Sequence, residues 1–258
     1  TGFMRGRRAD GSWAPDFDPT EWGGAFIEGG AWHYLWSVFH DVQGLANLLG
    51  GDEKLAEKLD ACLAAPNTFK VGTYGHVIHE MAEMAAINMG QYGHGNEQLH
   101  HMLYMYNYVG QPWKAQYWLR QVMDRLYNSG PQGYCGDEDQ GQMASWYVLS
   151  AMGLYAVTPG TDQYVIGSPL FPRMSLQLEN GKRFLVVAEN NSPDNVYIQS
   201  AELNGRPLSR NWITYAEIMA GGTLRFVMGP QPNFSRGIAP ADKPYSFSPP
   251  ATAPTEAR

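Results

Sequence analysis

The sequence predicts a mainly α protein with a β segment behind it. Three observations carry that prediction. Before residue 160, apolar residues recur at spacings of three and four in six separate stretches. After Gly160 the pattern changes to short runs of β-favouring residues, with two Asn-Gly pairs between them as hairpin turns. From about Ala239 the chain becomes rich in Pro and Ala and loses periodicity. The implied boundaries are helical hairpins over 1–160, an antiparallel β segment over 161–238 and a disordered tail over 239–258.

Taken in order, residues 1–27 have little periodicity and much Gly, Pro, Asp and Trp, so they read as a loop-rich segment packed over something larger. A helix is predicted over 30–49 from Trp32, Leu35, Trp36, Phe39, Val42 and Leu45, and Gly50-Gly51 ends it. Asp52 is the expected N-cap of a short helix carrying Leu55, Leu59, Cys62 and Leu63. A third helix covers 76–89 through Ile78, Met81, Met84, Ala85 and Met89, and glycines punctuate the loop after it. The fourth runs over 96–109 until Gly110-Gln111-Pro112 breaks it. The fifth, 112–127, has Pro112 in its first turn, where a missing N–H costs nothing. The sixth covers 140–152. Short connections between such helices favour antiparallel hairpins. The β runs lie at Leu176 and Leu178, 184–188, 196–200 and 224–227, with turns at Asn180-Gly181 and Asn204-Gly205.

Bulk composition narrows the function. At 258 residues, 44% hydrophobic and 17% charged, the chain is globular and long enough for one large domain or two ordinary ones. A net charge of −7 argues against nucleic acid or an anionic membrane as partner. No apolar run approaches the roughly 20 residues of a membrane span. Aromatics at 13% with 29 glycines suit a protein that stacks flat ligands such as sugar rings, although most aromatics fill a core. Two cysteines set no disulfide framework. The chain starts at Thr1 in what reads as the middle of an ordered protein, so a fragment is expected.

Four polar clusters stand at Gly-rich loop-to-helix junctions: Glu28-Gly-Gly-Ala-Trp32-His33, Tyr74-Gly-His76-Val-Ile-His79-Glu80, Gly93-His94-Gly95-Asn96-Glu97, and Asp137-Glu138-Asp139. Singly, each reads as a helix cap or a satisfied polar residue. Together, on the junctions of consecutive hairpins, they suggest a common rim. No zincin spacing, P-loop, dinucleotide glycine pattern or Gly-x-Ser-x-Gly elbow occurs. The twelfth position counted from Asp137 is Val148, which excludes an EF-hand. Carboxylate chemistry remains. Hydrolysis of a glycosidic bond needs one protonated carboxyl for the leaving group and one ionised carboxyl to activate water or attack the sugar. Glu28 is the candidate acid, its charge disfavoured by the aromatic surroundings of Trp32. Asp137 and Asp139 are candidates for the base, because mutual repulsion raises the proton affinity of one. Asn96 and Glu97 offer the oxygen ligands a hard cation prefers.

These stretches resemble glycoside hydrolase family 92. The resemblance is carried by Glu28-Gly-Gly-Ala-Trp-His-Tyr-Leu-Trp36, His40-Asp-Val-x-Gly-Leu45, Gly95-Asn-Glu-x-x-His-His101, Tyr106-Asn-Tyr-x-Gly-Gln-Pro-Trp-Lys114, the 137–147 motif, and Tyr197-Ile-Gln-Ser-Ala-x-Leu-Asn-Gly205. It runs from about Phe3 to about Asn233, with several long motifs in order. The family is one of bacterial, calcium-dependent, exo-acting α-mannosidases that invert. The resemblance implies the second half of an (α/α)6 toroid followed by antiparallel β-strands, with a β-sandwich-like domain and the first half of the toroid upstream. It implies Glu28 as catalytic acid and Asp139, aided by Asp137, as the group that positions and deprotonates water. It further implies Ca2+ on the mannose 2- and 3-hydroxyls, with Asn96 and Glu97 in the metal neighbourhood. Substrate contacts fall on Trp32 and on His79-Glu80, the latter against the leaving sugar and hinting at α-1,2 linkages. The implied partners are mannose-containing glycans and the missing N-terminal part of the same protein, and the implied location is periplasmic or extracellular. The family usually has Asn where Gly30 stands and often Gln where His33 stands, a departure expected to alter subsite contacts. Truncation makes activity of the fragment alone doubtful. Two other readings are another carbohydrate-active enzyme on an (α/α) toroid and a glycan-binding protein without chemistry.

Overall fold

A computed structural model describes residues 1–14 and 16–251. Helices come first: α1 (Ala31–Tyr34), α2 (Val42–Leu49), α3 (Asp52–Ala64), α4 (His79–Ile87), α5 (Pro112–Leu126) and α6 (Gln142–Ala151). Short 3-10 turns lie between them at Gly72–Tyr74, Glu97–Leu99 and Met102–Asn107. The 112–127 and 140–152 predictions match α5 and α6 closely. In α5 the residues Ala115, Leu119, Val122, Met123 and Leu126 are buried, the one-sided stripe that its spacing promised.

Three helical predictions need correction. The 30–49 helix is interrupted between α1 and α2, because remote side chains take the carbonyls of the break. His101 Nε2 donates to the Trp36 carbonyl at 2.6 Å, and Thr158 Oγ1 donates to that of Phe39 at 2.8 Å. Asp41 then restarts the helix, accepting from the Gly44 N–H at 3.0 Å. Asp52 is the first residue of α3 rather than its cap; its carboxylate accepts from Gln43 Nε2 at 3.0 Å and pairs with Lys243. The 96–109 stretch forms 3-10 turns, and Met102–Asn107 is buried on every side, so its apolar spacing reflects full burial rather than an amphipathic helix.

The β part begins at β1 (Leu154–Tyr155), earlier than the predicted 161, and continues with β2 (Gln163–Ile166), β3 (Arg173–Gln177), β4 (Arg183–Glu189), β5 (Tyr197–Leu203), β6 (Arg206–Pro207) and β7 (Trp212–Thr214). A short α7 (Tyr215–Met219) leads to β8 (Gly222–Gly229). Strands β1, β2 and β7 form one antiparallel sheet; the other has the order β3-β4-β8-β5-β6. Both Asn-Gly pairs sit at antiparallel hairpins as predicted, between β3 and β4 and between β5 and β6. The sheet is nevertheless mixed: β4 and β8 run parallel. The connection between them is long enough to carry β5, β6, β7 and α7, which frees β8 to enter between β4 and β5. Phe184, Val186 and Ala188 of β4 and Leu224, Phe226 and Met228 of β8 alternate into one core.

α5 ties the two parts together. Gln116 Oε1 accepts from the Ile198 N–H of β5 at 3.0 Å, and the buried Arg120 donates to the Pro169 and Ser192 carbonyls. The tail predicted to be disordered is held as far as it is described. Ser246 and Ser248 hydroxyls donate to Asp41 at 2.9 and 2.7 Å, and Asn47 Nδ2 donates to the Pro249 carbonyl at 2.9 Å. Residues 252–258 lie outside the described residues.

Candidate active site

The four junctions meet, through side chains at the backbone of Glu28 and through a glycine-to-glycine backbone crossing. Glu28 has a left-handed φ of 50°, which turns the chain sharply just before α1. Its N–H donates to the Tyr74 hydroxyl at 2.7 Å, and its carbonyl accepts from Asn96 Nδ2 at 2.7 Å. The first junction is thereby clamped by the second and the third. The third and fourth touch without side chains between them. A Cβ on Gly136 would lie 2.6 Å from the Gly95 Cα, and one on Gly95 would lie 2.7 Å from Glu83 Oε2. Only two glycines allow that crossing.

The acidic loop divides its labour. Glu138 caps α6: its carboxylate accepts from the Gly141 N–H at 2.6 Å and the Ala144 N–H at 3.2 Å. Asp137 and Asp139 are therefore released from capping, and both are exposed. Asp139, itself left-handed at φ 56°, has its carboxyl beside that of Glu97. Partial shielding from water, then the charges of Glu97 and Asp137, push its pKa above the ordinary carboxylate value.

Beneath the loop is a buried polar network. Gln142 Nε2 donates to His100 Nδ1 at 2.9 Å, which leaves the His100 Nε2–H to donate to the His94 carbonyl at 2.9 Å. Burial pushes His100 down to about 4, so it stays neutral in this role. His94 bridges the Tyr92 and Tyr127 hydroxyls, each at 2.7 Å. The network fixes the start of α6 against the 94–100 turn, and so fixes Asp139 against Glu97.

His79 and Glu80 open α4 near Asp137. His79 sits between Glu83, at 3.0 Å, and Glu80, at 3.3 Å. The Glu83 hydrogen bond, outweighing partial burial, raises its pKa. Glu83 was not among the candidates from sequence. Burial raises its own pKa, its Oε2 has no partner, and it lies close enough to Asp137 for the charges to interact. The signal for it was the i, i+4 spacing from His79, which puts both on one face of α4. The bonds of Tyr74 to Glu28 and of Gln142 to His100 were not legible in the sequence, because each joins residues more than 40 positions apart.

Two expectations around α1 change. Trp32 does not enclose Glu28, which is exposed. Its ring meets Phe3 edge-on at 4.7 Å and the Lys58 ammonium at 4.5 Å, an arrangement that fastens the N-terminal segment to α3. The Gly30 and His33 departures also turn inward. His33 Nδ1 accepts from the Gly30 N–H at 2.8 Å and is buried, and a Cβ on Gly30 would meet the Glu21 carbonyl at 2.5 Å. This pair closes a turn and presents no side chain to a ligand.

A cation fits only in part. Asn96 spends its amide on the Glu28 carbonyl, which leaves Oδ1 to accept, and Glu97 adds a carboxylate. Among the described residues no group of three or more His, Cys, Asp or Glu is arranged to hold a metal ion. Calcium takes six to eight oxygens, so Asn96 and Glu97 would be two of several ligands.

Glu28 on the first junction and Asp139 on the fourth are both exposed carboxyls, and Asp139 has a raised proton affinity, so the junctions carry the residue types that glycosidic hydrolysis uses. The glycosyl hydrolase family 92 catalytic domain matches residues 1–230, and the chain belongs to that family. It is 56% identical to a solved family 92 inverting mannosidase from Bacteroides thetaiotaomicron, with a TM-score of 0.83 over 95% of this chain and 33% of that one. A second α-mannosidase of that organism, solved with mannoimidazole, is 35% identical, with a TM-score of 0.87 over 96% of this chain and 32% of the other. An uncharacterized secreted glycosidase of Arthroderma benhamiae is 30% identical over 85% of this chain and 26% of its own length. The chain thus spans about a third of its solved relatives and a quarter of the fungal one.

Proposed function

We propose that the protein to which this chain belongs is an exo-acting, inverting α-mannosidase. The observation that carries the proposal is the division of the acidic loop, in which Glu138 caps α6 and leaves Asp137 and Asp139 free. Asp139, with Asp137 beside it, takes a proton from water as the water oxygen bonds to the anomeric carbon. Glu28 gives its proton to the glycosidic oxygen as the bond from carbon to that oxygen breaks. The raised pKa of Asp139 makes it the stronger base once ionised. Inversion follows from a single displacement by water, with no glycosyl-enzyme.

His79, biased toward its charged form by Glu83, and Glu80 would contact the leaving sugar, which favours α-1,2-linked mannose in glycan degradation. Ca2+ near Asn96 and Glu97 would orient the vicinal hydroxyls of the sugar, its remaining ligands coming from substrate, water and the rest of the protein. The helical part would form the second half of an (α/α)6 toroid, completed by the remaining two thirds of the full-length protein. A periplasmic or extracellular location fits polymeric substrates. The test is turnover of mannobioses of defined linkage by the full-length protein. Release of mannose, fastest from the α-1,2 isomer, is expected; cleavage of other glycosides in preference to all mannosides would contradict the reading.

A further inference from the structure

The loop that delivers the acidic residues also builds a second feature. An open cleft of about 520 Å3 is lined by Tyr127, Tyr134 and Tyr147 and by the 128–133 loop. Its geometry is fixed from below. The Tyr127 hydroxyl is held by His94 at 2.7 Å, and its ring stacks on the buried Trp146 at 5.8 Å with an interplanar angle of 9°. Tyr147 lies 4.7 Å from Tyr127, and Tyr134 stands perpendicular to it at 6.0 Å. The loop is closed on itself. Asn128 N–H donates to the Gly133 carbonyl at 3.1 Å, Asn128 Nδ2 to the Gln132 carbonyl at 3.0 Å, and Gly130 N–H to Asn128 Oδ1 at 2.8 Å. Tyr134 remains 41% exposed, so its ring is available to a ligand.

We infer that this cleft is a distal saccharide subsite, which takes a neutral sugar ring of the glycan on the leaving-group side. The inference rests on the glycosidase reading above. Three features select the ligand. Among the described residues no charged side chain lines the cleft, which disfavours phosphorylated or acidic ligands. Tyrosine rings offer flat apolar faces to the C–H face of a pyranose, while their hydroxyls and the loop amides suit its edge. The cleft is also joined to the reaction centre by a short strap: Tyr134 precedes Asp137 by three residues, a reach of at most about 11 Å. That distance suits one or two sugar units beyond the scissile bond.

The test measures binding of α-mannotriose and of maltotriose to the full-length protein in an Asp139→Asn background, so that ligands survive, with Tyr134→Ala and Tyr134→Phe added. Mannotriose affinity should fall on the order of tenfold with Tyr134→Ala and recover with Tyr134→Phe, which keeps the ring. Affinity unchanged by Tyr134→Ala for both trisaccharides overturns the subsite and returns the cleft to packing against the rest of the protein. Turnover of mannosides by the Asp139 parent reports separately on the mannosidase reading. A Tyr134-dependent loss confined to maltotriose would keep the subsite while refuting mannose as its sugar.

Discussion

Replacing Gly136 by Ala adds one methyl group where two junctions cross. The new Cβ would lie 2.6 Å from the Gly95 Cα and 2.9 Å from its carbonyl oxygen. Both contacts are backbone, so no side chain can swing aside. Relative to an ordinary 3.4 Å contact, the two loops would be about 0.8 Å too close and must separate by that amount. Overpacking of this kind costs about 1–3 kcal/mol. The larger effect should be on catalysis, because the crossing sets Asp137 and Asp139 against the Asn96-Glu97 turn. A displacement near 1 Å costs about 100-fold in rate. Steady-state kinetics of the full-length protein, with thermal denaturation alongside, should show kcat/KM falling far more than the stability change explains. Wild-type kinetics with a wild-type Tm would refute the claim that this contact positions the site.

Other outcomes follow from the same geometry. Glu138→Ala removes the cap of α6 and should cost about 1–2 kcal/mol, read as a drop of several degrees in Tm; an unchanged Tm would return the capping role to its neighbours. For Glu83, burial raises the folded pKa above the unfolded one, so its stability contribution is full at acid pH and is lost as pH rises through the folded value. Glu83→Gln should accordingly gain Tm relative to wild type at about pH 7 and lose that advantage near pH 4; a pH-independent difference would contradict this. Chelation should abolish mannoside turnover by the full-length protein, with restoration by Ca2+ and not by Mg2+; chelator-resistant turnover would remove the metal from the account.

Local chemistry was legible and remote chemistry was not. α5 and the two Asn-Gly hairpins could be read because periodicity and turn type are written within a few residues. The break before Asp41 depends on His101 and Thr158, which no local window around Phe39 contains. The parallel pairing of β4 with β8 is likewise a choice between distant partners. At the site, the sequence pointed to the acidic loop and to junctions that do meet. It could not tell which of three adjacent acids caps the helix, since any of them has the right chemistry. Proximity in sequence misled at Trp32, four residues from Glu28, because α1 turns its ring toward Phe3 and Lys58.

The central claim, that Glu28 serves the leaving group and Asp139 serves the water, has a direct measurement. Glu28→Gln and Asp139→Asn are compared on a mannobiose, which needs a proton on its leaving oxygen, and on a dinitrophenyl α-mannoside, which does not. Glu28→Gln should lose about 100-fold or more on mannobiose and keep most of its rate on the activated mannoside, whereas Asp139→Asn should lose both. Equal losses of Glu28→Gln on the two substrates, or near-normal turnover by Asp139→Asn on either, would contradict the assignment.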